Sequence, residues 1–340
     1  MSRRCPLSPP TVSVVLPTWN RLGTLRQALE ALGSQTVSSA DFEVVVVSDG
    51  STDGTNDEIR RTKTPFFLNF FSQENAGPAS ARNRGVALAT ADLVLFLDDD
   101  VVPDPHLLEE HLRSHGVQGN RAVVIGPMLT PSDYRPNPFV RWEQSMLYKQ
   151  YEAMERGDWT PNYRQFYTGN ASLRRELLLS VGGFDERFRR AEDVETAYRL
   201  AKAGAKFYFN NRAVGYHYAQ RSFKSWLRNA GDYGRNDVIF DRETSSTERV
   251  DIIRRELRDR HAIVRWLARL CLGRPRLESS LSWPARTLAE AADRVGCHGV
   301  ARGALSALYN TSYYSGVASE LGGANAFWDV MDGIDASTPS

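Results

Sequence analysis

From residue 11 to residue 97 the chain alternates largely apolar runs with segments of helical spacing, and no other feature limits its folds so strongly. The runs cover residues 11–16, 42–47, 66–71 and 91–97. Each is largely apolar rather than alternating, so each predicts a strand covered on both faces. Between them, Leu22, Leu25, Ala28, Leu29 and Leu32 recur at helical spacing and stop at Gly33. Residues 53–61 read as a short helix and 79–89 as a small-residue helix. Strands separated by helices need crossover connections, which predicts an α/β fold with a doubly wound, mostly parallel sheet flanked by helices. A further strand is expected at 123–125 and a helix over 138–154. Another helix opens at Glu192-Asp193, with Val194, Ala197, Leu200 and Ala201 on one face, and ends at Gly204. Residues 206–210 and 214–218 read as short extended pieces, and from about Arg221 the pattern is helical.

At 340 residues the chain exceeds the size at which one core stops growing, so a large domain plus an extension is expected. Its net charge of +1 gives no bulk attraction to nucleic acid, and no such partner is expected. Cys5, Cys271 and Cys297 are odd in number, far apart and without metal-ligand spacing. That pattern fits a reducing, cytoplasmic compartment. Residues 1–10 lack the apolar run of a signal peptide, and no stretch approaches the ~18 apolar residues of a membrane span.

In a doubly wound sheet the loops after the strands gather on one edge, where such folds bind ligands. Here those loops are Pro17-Thr18-Trp19-Asn20, Ser48-Asp49-Gly50-Ser51-Thr52-Asp53 and the triplet Asp98-Asp99-Asp100. Three adjacent carboxylates repel one another, and a divalent cation would relieve them because hard metals take oxygen ligands. The alternative is a solvated acidic turn before Pro103. Neither a Gly-x-Gly-x-x-Gly fingerprint nor a phosphate-binding Gly-x-x-x-x-Gly-Lys-Ser/Thr loop is present, which disfavours dinucleotide dehydrogenases and P-loop enzymes. Asp49-x-Ser51-x-Asp53-Gly54 imitates a calcium loop, but Arg60 stands where a bidentate Glu is required. Asp53 reads as a turn and cap residue. Arg82 and Arg84 lie two apart on a helix and cannot share a face. One is expected to point at an anion and the other at solvent.

Six motifs now stand in order: Leu16-Pro17-Thr18-Trp19-Asn20, Val47 to Asp53, Asn75 to Gly85, Phe96 to Asp100, Gly169-Asn170 and Glu192-Asp193. Together they resemble the family 2 glycosyltransferases of the GT-A fold, over about residues 11–218. The resemblance implies transfer of a sugar from a nucleotide-sugar, UDP-sugar by family frequency, to an acceptor hydroxyl with inversion, assisted by Mg2+ or Mn2+. It implies that Pro17, Trp19, Asn20 and Asp49 line the nucleoside pocket and that Arg82 faces the base or the diphosphate. Asp98 would meet the ribose or sugar, with Asp99 and Glu192 also at the donor site. Asp100 and His217 would hold the metal, and Asp193 would be the general base. Asn170 would hold donor or acceptor sugar, or simply form a turn with Gly169. Ser48 departs from the family pattern, where a second Asp is common. The implied layout is a catalytic domain over 10–220, with a nucleotide-sugar half to about 126 and an acceptor half beyond it. A helical extension over 221–334 and a disordered tail over 335–340 follow.

Chemistry points the same way, since a sugar hydroxyl needs a positioned carboxylate to take its proton, and the leaving diphosphate gains charge that a metal stabilises. Asp193 also has a plain alternative as a helix N-cap acid. A sugar nucleotidyltransferase or a catalytically silent sugar-binding module are the rival functions. The first lacks its Gly-rich basic loop here, and the second does not need Asp100, Asp193 and His217. The aromatics Trp142, Tyr148, Tyr151, Trp159, Tyr163 and Tyr167 either stack on acceptor sugars or fill a core. The acceptor itself (glycan, lipid-linked, protein or small molecule) is not legible. Residues 251–276 hold eight arginines and three acids with apolar residues at helical spacing. They read as a basic amphipathic helix, either packed on the protein or lying peripherally on an anionic membrane. Later helices either cover the acceptor side or form an oligomer contact.

Overall fold

The computed structural model describes residues 9–188, 191–245 and 247–333. Cys5 and the tail expected to be disordered lie outside them. The chain divides into two compact units. One takes the described residues up to Arg135 together with Gln144–Ala219, and the other takes Pro136–Glu143 and the described residues from Gln220. Residues 136–143 thus belong with the second unit, across the single boundary expected near residue 220.

The first unit runs β1 (Val12–Thr18), α1 (Leu22–Leu32), β2 (Phe42–Asp49), α2 (Thr55–Arg61), β3 (Phe67–Gln73), α3 (Pro78–Leu88), β4 (Leu93–Leu97) and β5 (Val101–Pro103). It continues with α4 (Leu107–Gln118), β6 (Ala122–Ile125), β7 (Met128–Leu129), α5 (Pro138–Glu155), β8 (Asn170–Arg174), α6 (Arg175–Ser180), α7 (Glu192–Lys202), β9 (Lys206–Phe209) and β10 (Gly215–His217). The first residues of α5 are those assigned to the second unit.

Seven strands form one sheet in the order β3-β2-β1-β4-β8-β6-β9. β1 pairs in parallel with β2 on one side and β4 on the other, so the connections reverse direction there. That reversal opens the ligand crevice of a doubly wound sheet. The runs in β1, β2 and β4 are buried as expected, with Val12, Val14, Val15, Leu16 and Val44–Val47 all at zero exposure, whereas β3, at the sheet edge, is half-buried along its length. One core lies on the α1 side, built from Val14, Leu16, Leu25, Leu29 and Leu95. The other lies on the opposite face, built from Val15, Val86, Phe96, Leu173 and Leu200. Gly85 permits close approach there, because a Cβ on it would stand 2.3 Å from Val15 Cγ1.

β8 is the one strand antiparallel to its neighbours β4 and β6. Its sequence, Asn-Ala-Ser-Leu-Arg, carries no apolar run, so periodicity does not announce it. A second sheet orders β5-β10-β7. β10 is antiparallel to β5 and sets His217 opposite Val101, directly after the aspartate triplet.

In the second unit, α8 (Phe223–Thr244), α9 (Glu248–Asp259), α10 (Ala262–Cys271), α11 (Pro275–Arg294), α12 (His298–Leu321) and α13 (Ala324–Asp332) pack around Val238, Leu257, Val264, Tyr314, Val317 and Phe327. α8 and α12 approach closely at glycines: a Cβ on Gly316 would stand 2.0 Å from the Gly231 carbonyl. The single basic helix expected over 251–276 is in fact α9, α10 and the start of α11. Arg260 breaks it by adopting an extended backbone at φ −66°, ψ 147°. Of the apolar stripe a membrane contact would use, Ile253, Leu257 and Val264 are buried in this unit's own core, Leu267 packs against it and Cys271 is buried. Ile263 and Trp266 stay exposed. Among the described residues no helix is long and apolar enough to cross a membrane.

Candidate functional site

β1, β2 and β4 end together, and the side chains after them interlock. Asn20 Oδ1 accepts from the Thr52 N–H at 2.7 Å, while the Asn20 N–H donates to Ser51 Oγ at 3.0 Å. Asn20 adopts φ 53°, a left-handed conformation uncommon outside glycine. Asp53 is the turn residue expected: its carboxylate accepts from the Leu22 and Thr55 N–H groups at 3.1 Å. Asp49 is buried and accepts from the Ala76 and Gly77 N–H groups and from Gln73 Nε2, each at 2.9 Å. Ser48 is fully buried, and its hydroxyl has no partner among the described residues. Pro17 is half-buried and Trp19 is 56% exposed at the strand edge.

The three aspartates take three different environments. Asp98 is the most open, and its Oδ1 accepts from Arg82 Nη2 at 3.0 Å. Asp99 is buried between Thr18 Oγ1, which donates at 2.7 Å, and Arg21 Nη1 at 3.1 Å. Burial first, then the charges of Asp100 and Asp98, push Asp99 up to about 7 against the pull of Arg21. Asp100 pairs with Arg21 Nη1 at 2.5 Å and lies 3.5 Å from His217 Nε2 through its other oxygen. The Tyr218 N–H donates to the Asp100 carbonyl at 2.9 Å, so the β5–β10 pairing fixes this approach.

A carboxylate oxygen and an imidazole nitrogen 3.5 Å apart can share one Mn2+ or Mg2+ ion, whose ligand bonds are about 2.0–2.2 Å. Among the described residues no group of three or more His, Cys, Asp and Glu side chains could hold a metal. A two-ligand site of this kind suits an ion that completes its shell with diphosphate oxygens and water.

Arg82 is the inward-pointing arginine of α3. It is buried, with Nη1 on Glu192 Oε1 at 2.7 Å and Nη2 on Asp98, and its plane lies 5.9 Å from the Phe184 ring. It clamps two carboxylates, because burying a guanidinium requires anionic partners. Glu192, expected at the donor, is correspondingly spent on Arg82. Arg84 points the other way and stacks 4.8 Å over Phe71.

Asp193 follows Glu192 in the first turn of α7, where the N-cap is Ala191, so Asp193 is not the cap. Ala191 sits at φ 57°, which bends the chain sharply into the helix. Left-handed backbone at a non-glycine residue costs of order 1 kcal/mol and is commonest at functional sites. Among the described residues the Asp193 carboxylate accepts one hydrogen bond, from the Val194 N–H at 2.8 Å. Burial and the neighbouring Glu192 charge push it up to about 7, against Arg82 and that N–H. A carboxyl near neutrality without an ion-pair partner of its own is what a general base requires.

Asn170 is the clearest correction. It is fully buried, and its Nδ2 donates to the Ala213 and Pro127 carbonyls at 2.7 and 3.1 Å. Its Oδ1 faces His111 Nε2 at 2.9 Å. Neither a sugar contact nor a simple turn describes it; it ties β8 to the loops leading into β7 and β10. His111 Nδ1 lies 2.7 Å from Ser172 Oγ, which His115 Nε2 approaches at 2.8 Å. Burial holds His111 down at about 4 and His115 at about 3, so both are neutral in the fold. The unfolded chain takes up protons below pH 6.5, but the folded one does not until about pH 4. Stability is therefore lost as pH falls through 6.5. At pH 5.5 the two histidines together should cost about 2–3 kcal/mol relative to pH 8. Urea midpoints of wild type against His115→Gln across pH 5–8 test this: a smaller acid loss in the variant is expected, and parallel curves would refute it.

Of the six aromatics Tyr151 is buried, and Trp142, Tyr148, Tyr163 and Tyr167 are half-buried against other side chains. Tyr151 stacks on Phe209 with centroids 5.4 Å apart, and its hydroxyl oxygen accepts from the Met128 N–H at 3.3 Å. Trp142 packs edge-on against Trp226 at 5.7 Å within the second unit. Tyr163 meets Tyr198, Tyr167 donates to Gln150, and Tyr148 accepts from the Thr130 N–H. Trp159 is the exposed one. Thr18, Arg21 and Gln144 are site residues that sequence reasoning missed. Arg21 follows Asn20 directly, which is a signal of place but not of role, and Gln144 has none.

A family model described as "Glycosyl transferase family 2" matches residues 13–182. Validoxylamine A glucosyltransferase of Streptomyces hygroscopicus subsp. jinggangensis is 36% identical over 220 residues, covering 57% of this chain and 52% of that protein. Pre-mycofactocin glycosyltransferase of Mycobacterium tuberculosis is 30% identical over 236 residues, covering 66% of this chain and 46% of that protein. The chain thus spans about half the length of these curated relatives. A mannosyltransferase from Pyrobaculum calidifontis, solved with GDP-Man and Mn2+, superposes with a TM-score of 0.56 at 25% identity over 70% of this chain and 66% of that one. TarS 1–349 from S. aureus, solved with UDP, superposes at 0.52 and 17% identity over 92% of this chain and 91% of that one, which speaks for the fold alone.

Proposed function

The chain belongs to glycosyl transferase family 2, with a GT-A type fold, and from that premise we propose that it is an inverting enzyme using a nucleotide diphosphate sugar. A hexosyl or hexosaminyl group, carried on UDP, passes to an acceptor hydroxyl in one displacement. One observation carries the reading: the Arg82 guanidinium joins Asp98 to Glu192, and so fastens the strand-end carboxylates to the start of the helix that bears Asp193. Asp193 takes the acceptor proton as the oxygen attacks. Asp100 and His217 hold Mn2+ or Mg2+, which when bound neutralises charge growing on the leaving diphosphate. Asp98 is open enough to accept from a donor hydroxyl, and Trp19, exposed after β1, offers a stacking face for the base. Asp49 borders that pocket with its carboxylate already oriented by two backbone N–H groups. Arg21, half exposed and bound to Asp99 and Asp100, would have to leave the Asp100 carboxylate for Asp100 to serve as a metal ligand.

A single base acting on the acceptor suffices for one displacement, whereas a double displacement needs a carboxylate nucleophile as well. Nucleoside diphosphate release from UDP-, GDP- and dTDP-sugars, with sugar acceptors in panel, reads the donor. Proton NMR of the new linkage reads its configuration. An α-configured donor should give a β-linked product. An α-linked product would overturn the mechanism, and absence of release from every donor by folded protein with Mn2+ would favour a silent binding module.

A further inference from the structure

Gln144 lies on α5, is 5% exposed, and touches the imidazole of His217. Its Nε2 stands 3.2 Å from His217 Nδ1, while its Oε1 is buried with no hydrogen-bond partner among the described residues. An orphaned buried carbonyl costs about 1–3 kcal/mol, so it calls for a reason.

The reason lies in which ring nitrogen of His217 carries the proton. An amide N–H facing Nδ1 makes Nδ1 the acceptor, so the proton sits on Nε2 and points at Asp100 Oδ1, 3.5 Å away. That tautomer suits a His217–Asp100 contact. It cannot ligate a metal through Nε2, whose lone pair is covered by the proton. A half turn of the Gln144 amide exchanges its two ends and presents Oε1 to Nδ1. The ring proton then sits on Nδ1, donates to Oε1 and leaves Nε2 bare toward Asp100. The proton count is unchanged: Nε2 releases one proton and Nδ1 gains one. Amide orientation and histidine tautomer are set by the hydrogen-bond network, so the two arrangements form a coupled pair.

We infer that Gln144 is a positioning residue whose amide selects the His217 tautomer, one orientation serving the metal-free site and the reverse one the metal-bound site. This rests on the assignment of His217 as a metal ligand. Partners of this kind raise ligand basicity and fix ring orientation, and their loss typically costs 10–100-fold in metal affinity.

The test is Mn2+ affinity, measured by electron paramagnetic resonance of the free ion, in wild type, Gln144→Met, Gln144→Glu and His217→Ala. Gln144→Met keeps length and removes the acceptor, and should weaken Mn2+ about 10–100-fold. Gln144→Glu presents an oxygen in either orientation and should bind at least as tightly as wild type. A purely structural role would not separate these two variants. Nitrogen-15 spectra of the histidine rings supply a second readout, with the Nε2–H form expected without metal and the Nδ1–H form with saturating Mg2+. If His217→Ala binds Mn2+ like wild type, the metal assignment itself fails. If His217→Ala loses Mn2+ but Gln144→Met does not, the Gln144 inference alone is overturned. Should Gln144→Met not fold, the wild-type spectra decide: a His217 tautomer unchanged by Mg2+ overturns the inference.

Discussion

Asp193→Asn is expected to slow glycosyl transfer roughly 10²–10⁴-fold, the usual worth of a positioned general base, and to leave nucleotide affinity unchanged. Asparagine matches the carboxylate in shape and can still accept from the Val194 N–H, so α7 should start normally. It cannot take the acceptor proton. The pH dependence follows from the same group. Asp193 is held up to about 7, so the active ionised form is lost as pH falls below neutrality. Wild-type kcat/KM should drop about tenfold per unit there, and the residual rate of the variant should show no such limb. Unchanged turnover in Asp193→Asn would remove it from the mechanism.

The second large effect is structural. Arg82→Met should destabilise the first unit by about 3 kcal/mol or more, because removing one partner of a buried ion pair strands the others. Glu192 is buried and would keep an uncompensated charge, whereas Asp98 is 35% exposed and can turn to water, which holds the cost toward the low end. For a unit of this size that corresponds to a fall in Tm of roughly 6–12 °C. Adding Glu192→Gln should recover part of the loss, since the stranded charge is then gone. Arg82→Lys should recover little, because a single ammonium cannot fork to both carboxylates. Equal Tm for wild type and Arg82→Met would show that the clamp does not hold the site together.

How far the sequence foretold these features depends on the physics behind each one. The four strands of the first half were legible from their apolar runs, and three of them, β1, β2 and β4, are buried as parallel strands covered on both faces should be, while β3 at the sheet edge is half-buried. Motif order singled out the triplet and Asp193 as candidates, and helical spacing separated Arg82 from Arg84: one points inward and the other lies over Phe71. What Arg82 would meet was not legible, since its partners Asp98 and Glu192 are brought together only by the fold. β8 was hidden because its buried polar residues, Asn170 and Ser172, are satisfied by His111 and His115 from α4. Asn170 accordingly read as a ligand residue or a turn, and proved to be a strut. β5 is three residues long, and its pairing with β10 is a long-range event that no local pattern records. The resemblance pointed to His217 before that pairing was visible, but Gln144 behind it left no trace in the sequence.

The account turns on a metal-dependent nucleotide site at the strand ends, and thermal unfolding with nucleoside diphosphate reads it most directly. UDP, GDP and dTDP should each be tested with and without Mn2+, on wild type and Asp100→Ala. Ligand at 100 times its Kd should add about 2.7 kcal/mol to the folded state. The predicted result is a raised midpoint with one nucleotide that requires Mn2+ and is lost in Asp100→Ala. A shift that is the same without Mn2+ or in Asp100→Ala would contradict the account, as would no shift with any of the three in folded wild-type protein.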